Sequence, residues 1–136
     1  QIQEYMEEAK ENTSAGIAHR DVRWAKLMLE HYDKNGTPPT DMPIYVQTLN
    51  IGDWKLIGLS REVTTEFAIA IRNLWPEKKV SVAGYTNDIP SYLPTDPHII
   101  ARDYEGYGSF FWYGQPNNYP LGTFDKIITR IRENNR

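Results

Sequence analysis

The segment from residue 44 to 86 constrains the fold most, because it reads as two strands, a helix and a third strand in succession. Gly52 and Asp53 separate two runs of alternating apolar and polar residues, which is the pattern of a β-hairpin closed by a two-residue turn. Apolar residues recur at helical spacing over 61–74, and a short buried strand follows over 78–86. A hairpin, a crossover helix and a third strand predict a small mixed sheet.

Helices are predicted on both sides of this segment. Apolar residues at helical spacing predict helices over about 1–12, 18–33 and 123–134, and a short helix near 97–102. The order belongs to the α/β (α+β) class, with a small mixed sheet and its β-hairpin covered by helices. Three strands leave a sheet edge open. Because the chain also starts at Gln1 rather than methionine, we expect a missing N-terminal portion of a longer protein to complete the sheet.

Charge and composition argue against several classes of function. The net charge is −3 and there is no basic block, which disfavours nucleic acid as a partner. The chain has no cysteine, so disulfides, thiolate metal sites and a cysteine nucleophile are excluded. No apolar run approaches the ~20 residues of a transmembrane helix, so no transmembrane segment is expected.

Glu62 is the first candidate functional residue. It falls in the first turn of the helix predicted after Ser60, where a carboxylate complements the positive end of the helix dipole. Alternatively, Glu62 projects from the carboxyl end of the preceding strand, which is the end that commonly faces ligands in layered α/β proteins. The spacing of residues alone does not choose between the two.

Asn87 and Tyr92 follow the third strand in the polar, proline-containing stretch VAGYTNDIPSYLPTDP. Pro90 and Pro94 flank Tyr92 and restrict its backbone, which suits a positioned side chain. If the second and third strands are neighbours, a carboxylate, a phenol and an amide meet at one sheet edge. The alternative is an exposed tyrosine in an ordinary turn.

The remaining candidates are aromatic residues and histidines. Seven aromatic residues between 104 and 119 either fill a core or line an apolar slot for a lipid-like ligand. His19, His31 and His98 lack metal-binding spacing, and no serine elbow, P-loop or dinucleotide fingerprint occurs. A complete catalytic set cannot therefore be assembled from this chain alone.

Three stretches lie in a fixed order within about 44–106: LSREVTTEFAIAIR, VAGYTNDIPSYLPT and DYEG. Together they resemble the later part of the catalytic domain of neutral ceramidases (the neutral/alkaline non-lysosomal ceramidase family) and their shorter bacterial relatives. In that family a Pro-x-Glu-x-Thr-Thr segment starts a helix, a strand leads into Asn-x-Tyr-x-x-Tyr-x-x-Thr, and Tyr-Glu-Gly follows a short helix. The resemblance implies that residues 1–136 are the C-terminal part of such a domain. It would comprise a helical lead-in (1–34), a core that carries the motifs (44–106), and an aromatic segment with a terminal helix (107–136).

The family's zinc-dependent amidases cleave the N-acyl bond of ceramide. The resemblance implies that Glu62 and Tyr92 are ligands of Zn²⁺, and that Tyr104 contacts the substrate near the scissile amide, with Asn87 helping to orient it. The two further zinc ligands are expected to be histidines upstream of this chain, in the missing N-terminal part of the same protein. The implied substrate is ceramide or a related lipid amide, and the implied location is periplasmic or secreted.

An alternative function remains open on the same scaffold. A non-catalytic module would bind lipid or glycan through the aromatic segment and hold no metal. The upstream sequence discriminates between the two readings, because two metal-spaced histidines there favour the enzyme. As a fragment that supplies two zinc ligands and part of the substrate wall, the chain alone is expected to be inactive.

Overall fold

A computed structural model describes residues 2–12, 15–37 and 39–135, with the side chains of 12 and 15–18 left out. Within these ranges the helices are α1 (Ile2–Asn12), α2 (Ala15–Asn35), α3 (Thr65–Asn73), α4 (Asp96–Ala101), α5 (Ser109–Tyr113) and α6 (Thr123–Glu133). The strands are β1 (Val46–Ile51), β2 (Trp54–Leu59), β3 (Glu62–Val63), β4 (Lys79–Ala83) and β5 (Tyr92–Leu93). A π-helical turn at Tyr104–Gly108, the π-turn, precedes α5.

The strands form two small sheets. The larger sheet has the order β1-β2-β4, with β1 antiparallel to β2 in a hairpin and β2 parallel to β4. Helix α3 makes the crossover between β2 and β4, as a parallel pair requires. The smaller sheet pairs β3 with β5 in parallel. The predicted mixed α/β fold, with a β-hairpin and covering helices, is confirmed.

The hydrophobic core lies between the larger sheet and the helices that follow it. Phe67 and Ile71 of α3 repeat at four residues, so they face the same side and are fully buried. The core cluster draws on β2, α3, β5, α5, α6 and the segment before α6: Ile57, Leu59, Phe67, Ile71, Leu93, Phe110, Tyr119 and Ile131. The core therefore fixes β5 against the rest of the fold.

Helices α1 and α2 pack on the aromatic segment. The Trp24 ring meets the Phe111 ring edge-on at 5.2 Å, and Trp24 Nε1 donates a hydrogen bond to the Gln115 carbonyl at 2.7 Å. The Tyr5 ring lies 6.0 Å from Trp24, which attaches α1 to the same cluster. None of the helices among the described residues is both long enough and apolar enough to cross a membrane.

The helix predicted over 61–74 begins later than expected. Helix α3 starts at Thr65 with Thr64 as its N-cap, and Glu62 lies in β3. The interpretation of Glu62 as a first-turn residue that complements the helix dipole is therefore wrong. The reason is non-local, because residues 62–63 pair with β5, some 30 residues later in the chain. Ser60, which was expected to cap the helix, is buried, and its hydroxyl accepts a hydrogen bond from the Tyr45 amide at 2.9 Å.

Candidate functional site

Glu62 and Tyr92 are paired residues of the two-stranded sheet. Their register brings the carboxylate of β3 beside the phenol of β5, because partners in a parallel pair project to the same side. Backbone hydrogen bonds hold this register, with the Glu62 amide donating to the Ser91 carbonyl at 3.0 Å. Arg61 turns the chain from β2 into β3 with φ of +78°, a left-handed conformation that is unusual for an arginine. The structure therefore brings together the two residues that the resemblance assigns to zinc.

Tyrosine hydroxyls surround the Glu62 carboxylate. Tyr113 Oη donates to Glu62 Oε2 at 3.1 Å. Burial by itself raises the pKa of Glu62, but hydrogen bonds from Tyr92, Tyr85 and Tyr113 outweigh it and lower the pKa below its ordinary value. Glu62 is therefore ionised at neutral pH and is available as an anionic ligand.

The same contacts keep the tyrosines protonated while no metal is bound. The hydrogen bond to Glu62, followed by burial, raises the pKa of Tyr92 far above its ordinary value. Burial, followed by the hydrogen bond to Glu62, raises the pKa of Tyr113 to about 12. The hydrogen bond to Glu62 also raises the pKa of Tyr85. A bound cation would shift these equilibria towards a phenolate.

Tyr104 reaches the site from the π-turn. Its ring packs edge-on against the Tyr92 ring, with centroids 5.8 Å apart and an interplanar angle of 74°. About half of Tyr104 remains exposed, so it can also meet a ligand from solvent. The turn is fixed by Asp103, whose Oδ1 accepts a hydrogen bond from the Gly106 amide at 2.8 Å. Tyr104 therefore lies beside the proposed metal ligand, as its assigned role requires.

Asn87 lies in the loop between β4 and β5, which leads to the site. It is exposed and has φ of +66°, a left-handed conformation that asparagine tolerates better than most residues. Among the described contacts, no hydrogen bond joins the Asn87 side chain to Glu62 or Tyr92. The structure therefore places Asn87 in the neighbouring loop and not within the cluster of contacting side chains.

Tyr85 and Tyr113 belong to the site and were not identified from the sequence. Tyr85 comes two residues after β4, and its position at a strand end is a signal that could have found it. Tyr113 carries no such signal, because it lies on α5, 51 residues away from Glu62 in the chain. Only the folded arrangement reveals its contact with the carboxylate.

A second group of potential metal ligands lies around the π-turn. His98, Asp103 and Glu105 offer ligand atoms within 4.8 Å of one another. His98 Nδ1 lies 2.6 Å from Asp103 Oδ2, and His98 Nε2 lies 3.8 Å from Glu66 Oε1. The hydrogen bond with Asp103 raises the pKa of His98, which favours the charged imidazolium over a metal ligand. This group is thus explained as an ion-pair network that joins α3, α4 and the π-turn.

The residues around Glu62 fit part of a zinc site. An ionised carboxylate is an ordinary ligand of Zn²⁺, and Tyr92 adds a second oxygen donor on the same side. The groups that hydrogen-bond Glu62 within the described ranges are tyrosines, and none is a histidine.

Comparisons with models of known protein families, with curated proteins and with solved structures found no match to this chain.

Proposed function

We propose that the chain is part of a zinc-dependent amidohydrolase that resembles neutral ceramidase and hydrolyses the N-acyl bond of ceramide or a related lipid amide. One observation carries the proposal. Glu62 and Tyr92 lie side by side on paired strands, and the Tyr104 ring packs against Tyr92. The three residues that the resemblance assigns to metal and substrate, drawn from three separate motifs, therefore share one site.

Glu62 and Tyr92 would hold the zinc ion together with two histidines from outside the chain. Zinc, when bound, polarises the amide carbonyl and lowers the pKa of a coordinated water to about 7. Glu62 contributes a carboxylate that its neighbours already keep ionised. Tyr92 would supply its phenolate oxygen, so binding of the metal would be coupled to the release of the phenolic proton to solvent. Tyr104 orients the substrate amide, and Asn87 contacts it from the neighbouring loop.

The upstream part of the same protein is the proposed partner of this chain. Among the described residues, β1 pairs with β2 alone and is an edge of its sheet. Large hydrophobic side chains at and just before this strand are exposed: Tyr45 and Leu49 expose 56% of their surface each, and Ile51 exposes 61%. Covering such residues and pairing the free strand edge would stabilise the assembly. The family's common export further suggests a periplasmic or secreted location.

The proposal is tested on the protein as its own cells produce it. We expect bound zinc and ceramide hydrolysis in the wild type, and loss of both in the Glu62→Gln and Tyr92→Phe variants. Tyr32→Phe is the matched control, because it removes the exposed phenol of another tyrosine that does not hydrogen-bond Glu62. Full zinc content and activity in Glu62→Gln would contradict the proposal. Chelator-sensitive hydrolysis by the isolated 136 residues would contradict the expectation that they are inactive alone.

A non-catalytic lipid- or glycan-binding module is the second candidate, and a cleft favours it. Two adjoining cavities of about 200 and 270 Å³ share Trp24, Tyr107 and Phe111 as lining residues. Aromatic faces with nearby amide groups suit either an acyl chain or a sugar ring. If the chain is this module, Trp24→Ala will abolish NMR shifts caused by short-chain lipid or oligosaccharide, and Glu62→Gln will leave them unchanged.

A further inference from the structure

The C-terminal end of α5 is attached to two separate parts of the fold. Gln115 Nε2 donates a hydrogen bond to the Pro90 carbonyl at 2.7 Å, which connects it to the loop before β5. The Gln115 carbonyl in turn accepts the hydrogen bond from Trp24 Nε1 of α2 at 2.7 Å. Arg23 Nη1 donates to the Trp112 carbonyl at 3.1 Å. These bonds flank Tyr113 on both sides and fix its backbone relative to α2 and to the β5 loop.

Tyr113 contacts both proposed zinc ligands from this fixed position. Its hydroxyl donates to Glu62 Oε2 at 3.1 Å. Its ring meets the Tyr92 ring edge-on, with centroids 6.3 Å apart and an interplanar angle of 73°. One side chain therefore limits both the rotation of the Glu62 carboxylate and the tilt of the Tyr92 ring.

Glu62 needs such a restraint because its own strand provides little. Strand β3 has two residues and follows a left-handed residue, so its short backbone pairing alone leaves the long glutamate side chain free to rotate. Metal ligands bind well when outer groups hold them within about 0.5 Å of the productive geometry. A hydrogen bond from a neutral donor to a ligating carboxylate is the usual way to achieve this.

We propose that Tyr113 is a positioning residue that orients the Glu62 carboxylate for zinc, through a hydroxyl held in place by the anchored end of α5. The inference rests on the proposed zinc function. It assigns a role to helix α2 as well, because Trp24 and Arg23 support the position of Tyr113. Packing alone does not explain the position of the Tyr113 hydroxyl, because this group donates to the charged Glu62 carboxylate and does not face apolar side chains.

The test compares Tyr113→Phe with Tyr32→Phe in the protein as its own cells produce it, with zinc replaced by Co²⁺. Both variants remove one phenolic hydroxyl and keep the ring, and Tyr32 is an exposed residue of α2 that does not hydrogen-bond Glu62. We expect Tyr113→Phe to weaken Co²⁺ binding by about 10- to 100-fold and to shift the visible absorption bands of the bound ion. In the metal-free protein at neutral pH, the ¹³C signal of the Glu62 carboxyl should also move. Tyr32→Phe should change none of these.

The outcomes separate the inference from the proposed function. If the wild type binds no Co²⁺ at a site that Glu62→Gln removes, the zinc function fails and the inference fails with it. If the wild type binds the ion and Tyr113→Phe matches Tyr32→Phe, the inference alone is overturned. Weaker binding with an unchanged spectrum and an unchanged Glu62 signal would also overturn it, because a general loss of stability would then be the cause.

Discussion

Gly106 in the π-turn should not tolerate alanine, although the change adds a single methyl group. A Cβ atom at this position would lie 2.1 Å from the His98 carbonyl oxygen, 2.3 Å from its carbonyl carbon and 2.7 Å from the Ile99 amide nitrogen. Ordinary contact begins near 3.4 Å, so backbone atoms must separate by about 1.3 Å. All three obstacles are backbone of α4 and cannot rotate away as a side chain would.

The expected change in the free energy of unfolding for Gly106→Ala is the difference between two opposing effects. Forcing an extra methyl into packed backbone costs about 3 kcal/mol, the upper part of the range for overpacking. Alanine recovers up to ~1 kcal/mol, because it loses less conformational freedom than glycine in a helical turn. The expected net loss for Gly106→Ala is therefore at least about 2 kcal/mol. The strain also moves the turn that carries Tyr104, so the packing of Tyr104 on Tyr92 should loosen.

Gly108 provides a matched control two residues away. Its added Cβ would have Tyr104 Cδ2 as its nearest neighbour at 3.5 Å, which is an ordinary contact. Gly108→Ala should therefore be neutral or stabilising by up to ~1 kcal/mol. Urea unfolding followed by circular dichroism measures both variants. Unfolding free energies of Gly106→Ala and Gly108→Ala within about 0.5 kcal/mol of each other would refute the packing argument.

Two further predictions concern charged side chains. The hydrogen bond that His98 donates to Asp103 raises the pKa of His98. Burial by itself raises the pKa of Asp103, but the hydrogen bonds from His98 and from the Gly106 amide together outweigh it and lower that pKa. The contribution of His98 to the free energy of unfolding is present below its unfolded pKa of ~6.5 and is lost as pH rises through its folded pKa. The contribution of Asp103 is present above its unfolded pKa of ~3.9 and is lost as pH falls through its folded pKa. In urea unfolding, His98→Gln should therefore lower the free energy of unfolding most near pH ~5 and least near pH ~9. A decrease that does not depend on pH would contradict the ion pair. Arg61 donates to Ser91 Oγ and to the Pro43 carbonyl, each at 2.7 Å, from a left-handed backbone. Both Arg61→Gly and Arg61→Ala lose these bonds, but glycine relieves the backbone strain, so Arg61→Gly should be about 1 kcal/mol more stable than Arg61→Ala by the same assay.

The sequence predicts the parts of the fold that depend on local pattern. The hairpin follows from alternation around Gly52 and Asp53, and the parallel neighbour follows from the crossover helix between strands. The proximity of Glu62 and Tyr92 was expected because strand ends meet at one edge of a sheet. Their roles as zinc ligands stay predictions.

The remaining features depend on contacts between distant residues, which no local pattern records. Helix α3 starts at Thr65 because the preceding residues are drawn into pairing with β5. The π-turn forms where Gly106 packs against the backbone of α4, and the sequence does not show which residues will lie beside this glycine. The contact between Tyr113 and Glu62 likewise requires the whole intervening chain to fold first.

The two-residue pairing of β3 with β5 has a consequence for how the site arises during synthesis. Tyr92 follows Glu62 by 30 residues, and Tyr113 follows later still, so a growing chain exposes Glu62 well before its neighbours exist. A nascent chain therefore cannot present both oxygen donors to a cation until residue 92 has left the ribosome. If these two residues hold zinc as proposed, metal binding would follow that point of synthesis, and a truncated product ending before residue 92 would lack one of the two donors.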